Sequence, residues 1–244
     1  LTPRFGCGLE SLFAARSHKM VAIPNGIDTT LWNAGRDTYL HGKTFTADRL
    51  ENKVACKTAL QKAYGLDADR GAFLLAMGSR LTEQKMVDVA LQALPQALDA
   101  MPKLQVCILG QGERRAEREL VQLAQRYPGR CGVYIGYSEA RAHQLHAGAD
   151  ALLHGSRFEP FGLTPLYAMR YGTIPIASRV GGMVDTIVDP GLVAETNRLY
   201  RATGILFDGE AAEDMRSAIE RAVTLRQRPL VWRTMQRNAM LAPM

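Results

Sequence analysis

Short apolar runs alternate with amphipathic stretches along most of this 244-residue chain. The runs at 20–23, 72–77, 104–109, 132–135, 151–153, 173–177 and 204–207 are apolar and most of them carry β-branched residues, as strands of a buried sheet do. Between them, apolar positions return at helical spacing over about 49–64, 87–101, 113–127, 139–147, 163–171, 183–188 and 211–226. Strands that alternate with helices predict an α/β protein with a doubly wound parallel sheet, Rossmann-like in type. The stretch 33–46 holds turn formers and little periodicity, and is read as a loop or small excursion. No internal repeat interrupts the pattern.

In such a sheet, ligands sit outside the carboxyl ends of the strands. Permissive and charged residues gather there: Gly78-Ser79-Arg80 after the second run, Gly110-Gln111-Gly112 after the third, and Gly136-Tyr137 after the fourth. Gly155 to Gly162 follow the fifth run and Gly181-Gly182 the sixth. One nucleotide-sized crevice accounts for all five. The fullest signal is Ser156-Arg157-Phe158-Glu159-Pro160-Phe161-Gly162-Leu163-Thr164, a strand-to-helix passage hinged on glycine. The first N–H groups of a helix lack intrahelical partners and carry partial positive charge, so Gly162, Leu163 and Thr164 offer an anion site. Glu159 would repel that anion, and its carboxylate suits sugar hydroxyls or positive charge developing at a reacting carbon.

Arg80 and Lys85 stand five residues apart between a strand and the next helix, a fixed donor fork and a mobile point charge that suit a leaving diphosphate. Tyr137 offers a ring for a nucleobase or for core packing. Gly110-Gln111-Gly112 begins like a dinucleotide fingerprint but lacks the third glycine, and no G-x-x-x-x-G-K-[ST] loop exists, which argues against a P-loop NTPase. Glu139, His143 and His146 share a helical face, yet three residues with no fourth ligand fit helix capping or a nucleotide-adjacent role better than a metal. Asp67-Ala68-Asp69 imitates a metal-binding D-x-D in a turn-like, solvated setting.

Composition narrows the classes. A 47% hydrophobic, 22% charged chain is ordinary for a globular protein. Cys7, Cys56, Cys107 and Cys131 form no C-x-x-C pair, so neither a zinc site nor a disulfide framework is suggested. No run approaches the roughly 18 apolar residues of a membrane span, and a signal-peptide layout is absent, so a soluble intracellular protein without membrane partners is expected. The net charge of +6 favours anionic partners, with arginines at 216, 221, 226, 228, 233 and 237 against one acid, Glu220. No aromatic interleaving beyond Trp232 accompanies them. Nucleic-acid binding is therefore not expected, and a solvated helix face or a surface covered by a partner domain is.

Taken in order, these pieces resemble the C-terminal half of bacterial glycogen synthase and plant starch synthase. The resemblance runs through Gly6-Cys7-Gly8-Leu9, Pro24-Asn25-Gly26-Ile27-Asp28 with Trp32-Asn33, Ser79-Arg80-Leu81-Thr82 with Gln84-Lys85, and Tyr137 with Glu139. It continues through His143 to Asp150, the Ser156–Thr164 block, Leu166-Tyr167, Arg170 to Thr173 and Gly181-Gly182 with Asp185-Thr186. It implies the C-terminal, donor-binding lobe of a glycosyltransferase-B architecture, a single domain over 1–244 without the N-terminal acceptor lobe and terminal crossover helix. The implied reaction moves glucose from ADP-glucose to the non-reducing end of an α-1,4-glucan with retention, and the isolated lobe is expected to be inactive. Arg80 and Lys85 would hold the diphosphate, Gly162, Leu163 and Thr164 the phosphate and glucose, and Glu159 the ring near the anomeric carbon. Tyr137 would stack on adenine, with Gly78, Ser79, Gly110, Gly112 and Phe161 completing the donor site. Neither metal nor cofactor is implied, because Arg80, Lys85 and the helix dipole supply the positive charge. A cytoplasmic location follows, or a plastid one in a plant.

The chain departs from that pattern at Met86, where glycine is usual, at His154-Gly155, usually an apolar residue and proline, and at Phe161, Pro165 and Val180. Two other readings stay open: a retaining transferase of the sucrose or trehalose-phosphate type, and a nucleotide-binding module without catalysis. Glu159 beside Arg80 and Lys85 favours an enzyme, since a binding module has no need of that carboxylate.

Overall fold

The structure is a computed structural model that describes residues 8–21, 23, 25–191 and 196–243. Its sheet comprises β1 (Phe73–Gly78), β2 (Leu104–Gly110), β3 (Cys131–Ile135), β4 (Ala151–His154), β5 (Ile174–Ser178) and β6 (Ile205–Phe207) in the order β3-β2-β1-β4-β5-β6. Every pairing is parallel, with Leu75 at the centre facing Val106 on one side and Ala151 on the other. The strand order turns back between β1 and β4. Sheets of this kind take their ligands at such a point.

The helices are α1 (Glu10–Ala15), α2 (Lys53–Ala63), α3 (Val87–Ala100), α4 (Arg114–Arg126), α5 (Glu139–Gly148), α6 (Leu163–Arg170), α7 (Met183–Thr186), α8 (Thr196–Leu199), α9 (Ala212–Arg226) and α10 (Pro229–Leu241). Alternation along the strands sorts them into two layers. Phe73, Leu75 and Met77 of β1 face a core built with α3, α4, α9 and α10, while Leu74 and Ala76 face a smaller one with Leu60 of α2 and Leu145 of α5. Leu74, Leu75, Leu94 and Leu98 are wholly buried, and each such side chain withdrawn from water contributes about 2 kcal/mol.

The stretch 33–46 is a small excursion with its own core, in which Ala34, Leu40 and Phe45 pack against Cys56, Ala147 and Tyr171. Beneath it, the buried Lys53 ammonium donates to the carbonyls of His146, Ala147 and Tyr171 at 3.2, 2.8 and 2.9 Å. These are carbonyls at the ends of α5 and α6, which helix geometry leaves without partners.

Two expectations need correction. The run 20–23 forms no strand over its described residues: Met20, Val21 and Ile23 are 49%, 85% and 87% exposed and pair with nothing in the sheet. An apolar β-branched run satisfies its backbone as a strand only beside another strand, and β3 and β6 end this sheet without it. Conversely, the arginine-rich end is a helix, α10, begun by Pro229 at its first turn and burying Trp232, Met235, Ala239 and Met240. The arginines of α9 and α10 are in part paired: within α9 Arg216 meets Glu213 and Glu220, Arg221 of α9 meets Asp189 at 3.0 Å, and Arg237 of α10, still 59% exposed, meets Asp48 at 3.1 Å. Asp189 and Asp48 come from distant sequence, so part of the local excess of charge is cancelled. Cys56, Cys107 and Cys131 are buried free thiols, and Cys7 lies outside the described residues. Among the described residues no helix is long and apolar enough to cross a membrane.

Candidate functional site

Above the carboxyl ends of β1, β2 and β3 lies a cavity of about 310 Å³. Gly78, Ser79, Arg80, Gly110, Tyr137 and Thr164, all expected at the site, line it, together with Trp32, His146 and Tyr167. Tyr137 stands at the lip, 75% exposed, with its ring free to meet a planar ligand. Trp32 forms part of the wall. It is sandwiched between His143 and Tyr167, each ring 3.9 Å away and nearly parallel. His143 Nδ1 in turn meets Asp37 Oδ2 at 2.7 Å, and Tyr171 donates its hydroxyl to the same oxygen at 2.5 Å. His143 and His146 therefore support an aromatic wall, and among the described residues no cluster of His, Cys, Asp or Glu is arranged to hold a metal.

Lys85, Glu159, Phe161, Gly162, Leu163 and Gly112 are not part of that lining. Glu159 and Lys85 instead meet each other. Lys85 Nζ is ion-paired to Glu159 Oε2, with both side chains only 11% and 13% exposed. His154, the last residue of β4, reaches the same oxygen with Nε2 at 3.2 Å. Partial burial works to raise the Glu159 carboxyl, but the bonds from His154 and Lys85 outweigh it and bring it down to about 2. Burial, reinforced by the Lys85 charge, pushes the His154 imidazole below its ordinary value against the pull of Glu159. The site thus holds an ionised carboxylate over a neutral imidazole.

The turn carrying Lys85 and the loop carrying Glu159 are laced together. Gln84 donates to the Phe158 carbonyl at 2.8 Å and accepts from Arg80 at 2.9 Å, while Arg157 N–H donates to the Gln84 carbonyl at 2.9 Å. The Arg157 guanidinium grips Asp88 of α3 with two bonds of 2.9 and 2.7 Å, and Glu210 with a third of 2.9 Å. Two glycines let these backbones close. A Cβ on Gly181, whose φ is +51°, would fall 1.6 Å from the Glu159 carbonyl oxygen, and Gly162 caps α6 at φ +94°. The Gly110-Gln111-Gly112 turn answers to a similar demand, since added Cβ atoms at the two glycines would strike the carbonyls of Ser79 and Leu81 at 2.3 and 2.2 Å. Its glycines fit the turn against the neighbouring loop, although Gly110 also faces the cavity.

Some site residues escaped sequence reasoning. Nothing in its spacing singled out His154 as a partner of Glu159, five residues on. Trp32 and Tyr167 were visible only as members of motifs, and Arg157 as a charge next to Glu159.

A family model described as glycosyl transferases group 1 matches residues 62–239. The chain is 62% identical over 240 residues to a glycogen synthase of Bordetella petrii, covering 98% of this chain and 46% of that protein. It is 56% identical over 240 residues to a glycogen synthase of Ralstonia nicotianae, covering 98% and 44%. The chain thus spans about half the length of the curated relatives it matches. Among solved structures, the catalytic domain of starch synthase IV from Arabidopsis thaliana, bound to ADP and acarbose, is similar with a TM-score of 0.89 at 31% identity, over 99% of this chain and 49% of that one. A glycosyltransferase from Rickettsia africae, at 19% identity and a TM-score of 0.63 over 91% of this chain and 52% of that one, shares the fold alone.

Proposed function

The chain belongs to the group 1 glycosyl transferases, and from that premise we propose that it is the donor-binding lobe of a glycogen or starch synthase. Its fold is the doubly wound, Rossmann-like lobe of the glycosyltransferase-B architecture. The donor is ADP-glucose and the acceptor the non-reducing end of an α-1,4-glucan, reached with a second lobe. Without that lobe, the chain binds donor but does not turn over. The observation that carries this reading is the Lys85–Glu159 pair, joined through Gln84 to Arg80, which with Thr164 lines the aromatic-walled cavity.

The chemistry follows from those groups. In transfer, the bond between the anomeric carbon and the diphosphate breaks, and ADP departs with the electron pair. Arg80, Lys85 and the N–H groups of Leu163 and Thr164 meet the charge that grows on the diphosphate. The acceptor hydroxyl forms the new bond to the anomeric carbon and gives up its proton to the departing phosphate. Glu159, kept ionised, faces the positive charge that develops on the sugar. Tyr137 stacks on the base. Trp32 and Tyr167 line the same cavity.

Calorimetric titration of the chain with ADP, UDP and ADP-glucose tests the assignment. ADP and ADP-glucose are expected to bind, with ADP preferred over UDP, and an Arg80→Ala/Lys85→Ala variant to lose at least about tenfold in affinity, as befits two charge-assisted bonds. Absence of ADP binding, or equal binding by the variant, overturns the site. Elongation of glycogen by the chain alone overturns the need for a second lobe.

A further inference from the structure

Resting on that reading of Glu159, we propose that His154 is a positioning residue which holds the sugar-facing carboxylate in place while Lys85 serves the diphosphate. Both donors to Glu159 fall on Oε2, from Lys85 Nζ and from His154 Nε2 at 3.2 Å, which leaves Oε1 for a sugar hydroxyl. The two anchors differ in kind. Lys85 is a cation on a flexible stem, and an arriving diphosphate competes with Glu159 for it. His154 is rigid: it ends β4 in register with Ala177, its side chain is 2% exposed, and an uncharged ring has no electrostatic pull on phosphate. When Lys85 turns to the leaving group, His154 is the anchor that remains.

The tautomer follows from the surroundings. His154 Nδ1 is buried with no hydrogen-bond partner, so a proton there would have no acceptor. The single N–H sits on Nε2, where it donates to the carboxylate. Burial disfavours the imidazolium in the same sense. A fixed neutral donor can orient Glu159 without neutralising it, so the carboxylate keeps the charge that the sugar site requires.

The test compares ADP and ADP-glucose binding by calorimetry for the wild-type chain, His154→Leu, His154→Gln, Glu159→Ala and the His154→Leu/Glu159→Ala double variant. His154→Leu is expected to bind ADP as the wild type does but to lose about tenfold in affinity for ADP-glucose, the scale of one hydrogen bond to a charged group. His154→Gln, whose amide reaches to the place of Nε2, is expected to restore most of that loss. In the Glu159→Ala background, His154→Leu is expected to change nothing further. An ADP-glucose affinity unchanged in His154→Leu, an equal loss for ADP and ADP-glucose, or full additivity in the double variant overturns the proposal. If the wild-type chain binds neither ligand, the donor-site reading itself has failed; if it binds both and only the His154 pattern is missing, the positioning role alone has failed.

Discussion

Replacing Lys85 by methionine tests the electrostatics of the site with least change of shape. A carboxyl held at about 2 against an ordinary 4.5 corresponds to about 3 kcal/mol in favour of the folded, ionised form at pH 7. Because the folded carboxyl is the stronger acid, this contribution is complete above about pH 5 and is lost as pH falls through 4.5 towards 2. Lys85 supplies part of it and His154 the rest. Removing the cation leaves a carboxylate that is only 13% exposed with one neutral donor, and the expected loss at pH 7 is about 2 kcal/mol. The gap between variant and wild type should shrink to about 1 kcal/mol at pH 3, where the wild-type contribution is itself more than half gone. Lys85→Met/Glu159→Gln, which removes both charges, should recover most of the loss. Urea unfolding at pH 7, 5 and 3 reads all three chains. A gap that is constant with pH, or a double variant no better than the single one, would refute the claim that Lys85 helps to keep Glu159 ionised.

Gly181→Ala is expected to cost on the order of 3 kcal/mol in urea unfolding, because the new Cβ meets the Glu159 carbonyl at a positive φ and a backbone atom has to move; the same variant should lose ADP-glucose binding. Arg157→Ala is expected to loosen the Glu159 loop and cost about 2 kcal/mol, and Arg157→Lys to recover little, since an ammonium cannot reproduce the two-pronged grip on Asp88. Tyr137→Ala should leave thermal stability unchanged, its ring being 75% exposed, while weakening ADP by about fivefold if the ring stacks on the base. Thermal melts and calorimetry check these two effects separately.

The sheet was legible because buried parallel strands and amphipathic helices write different periods into a sequence, and the expected strands from β1 onward differ from the observed ones by one residue at each end at most. Both misreadings are instructive. The 20–23 run has strand composition but no neighbour, and pairing is a property of the fold, not of the run. Helix α10 had its own signals, a proline at its start and buried residues at 232, 235, 239 and 240, but its arginines drew the eye to charge. Asp48, which answers Arg237, is far away in sequence.

At the site, sequence order names residues but not who touches whom. Glycines at strand ends marked the crevice, yet the Lys85–Glu159 pair joins residues on different strand-to-helix passages and is set by the lacing of Gln84 and Arg157. The unusual residues acquire a physical logic from the same packing. Met86 holds φ +54°, a conformation that glycine adopts freely and that costs methionine about 1 kcal/mol. Its side chain is wholly buried, however, and Gly155 leaves it room, for a Cβ at 155 would sit 3.1 Å from Met86 Cβ and 2.9 Å from Met215 Cε. Filling that space with methionine is worth about 2 kcal/mol or more, so burial outweighs backbone strain and Met86→Gly destabilises rather than relieves. A glycine at 155 thus makes space for bulk at 86, while the adjacent position, His154, turns its side chain to Glu159. Three residues that read as departures along the chain, Met86, His154 and Gly155, are in space one packing exchange and one added hydrogen bond.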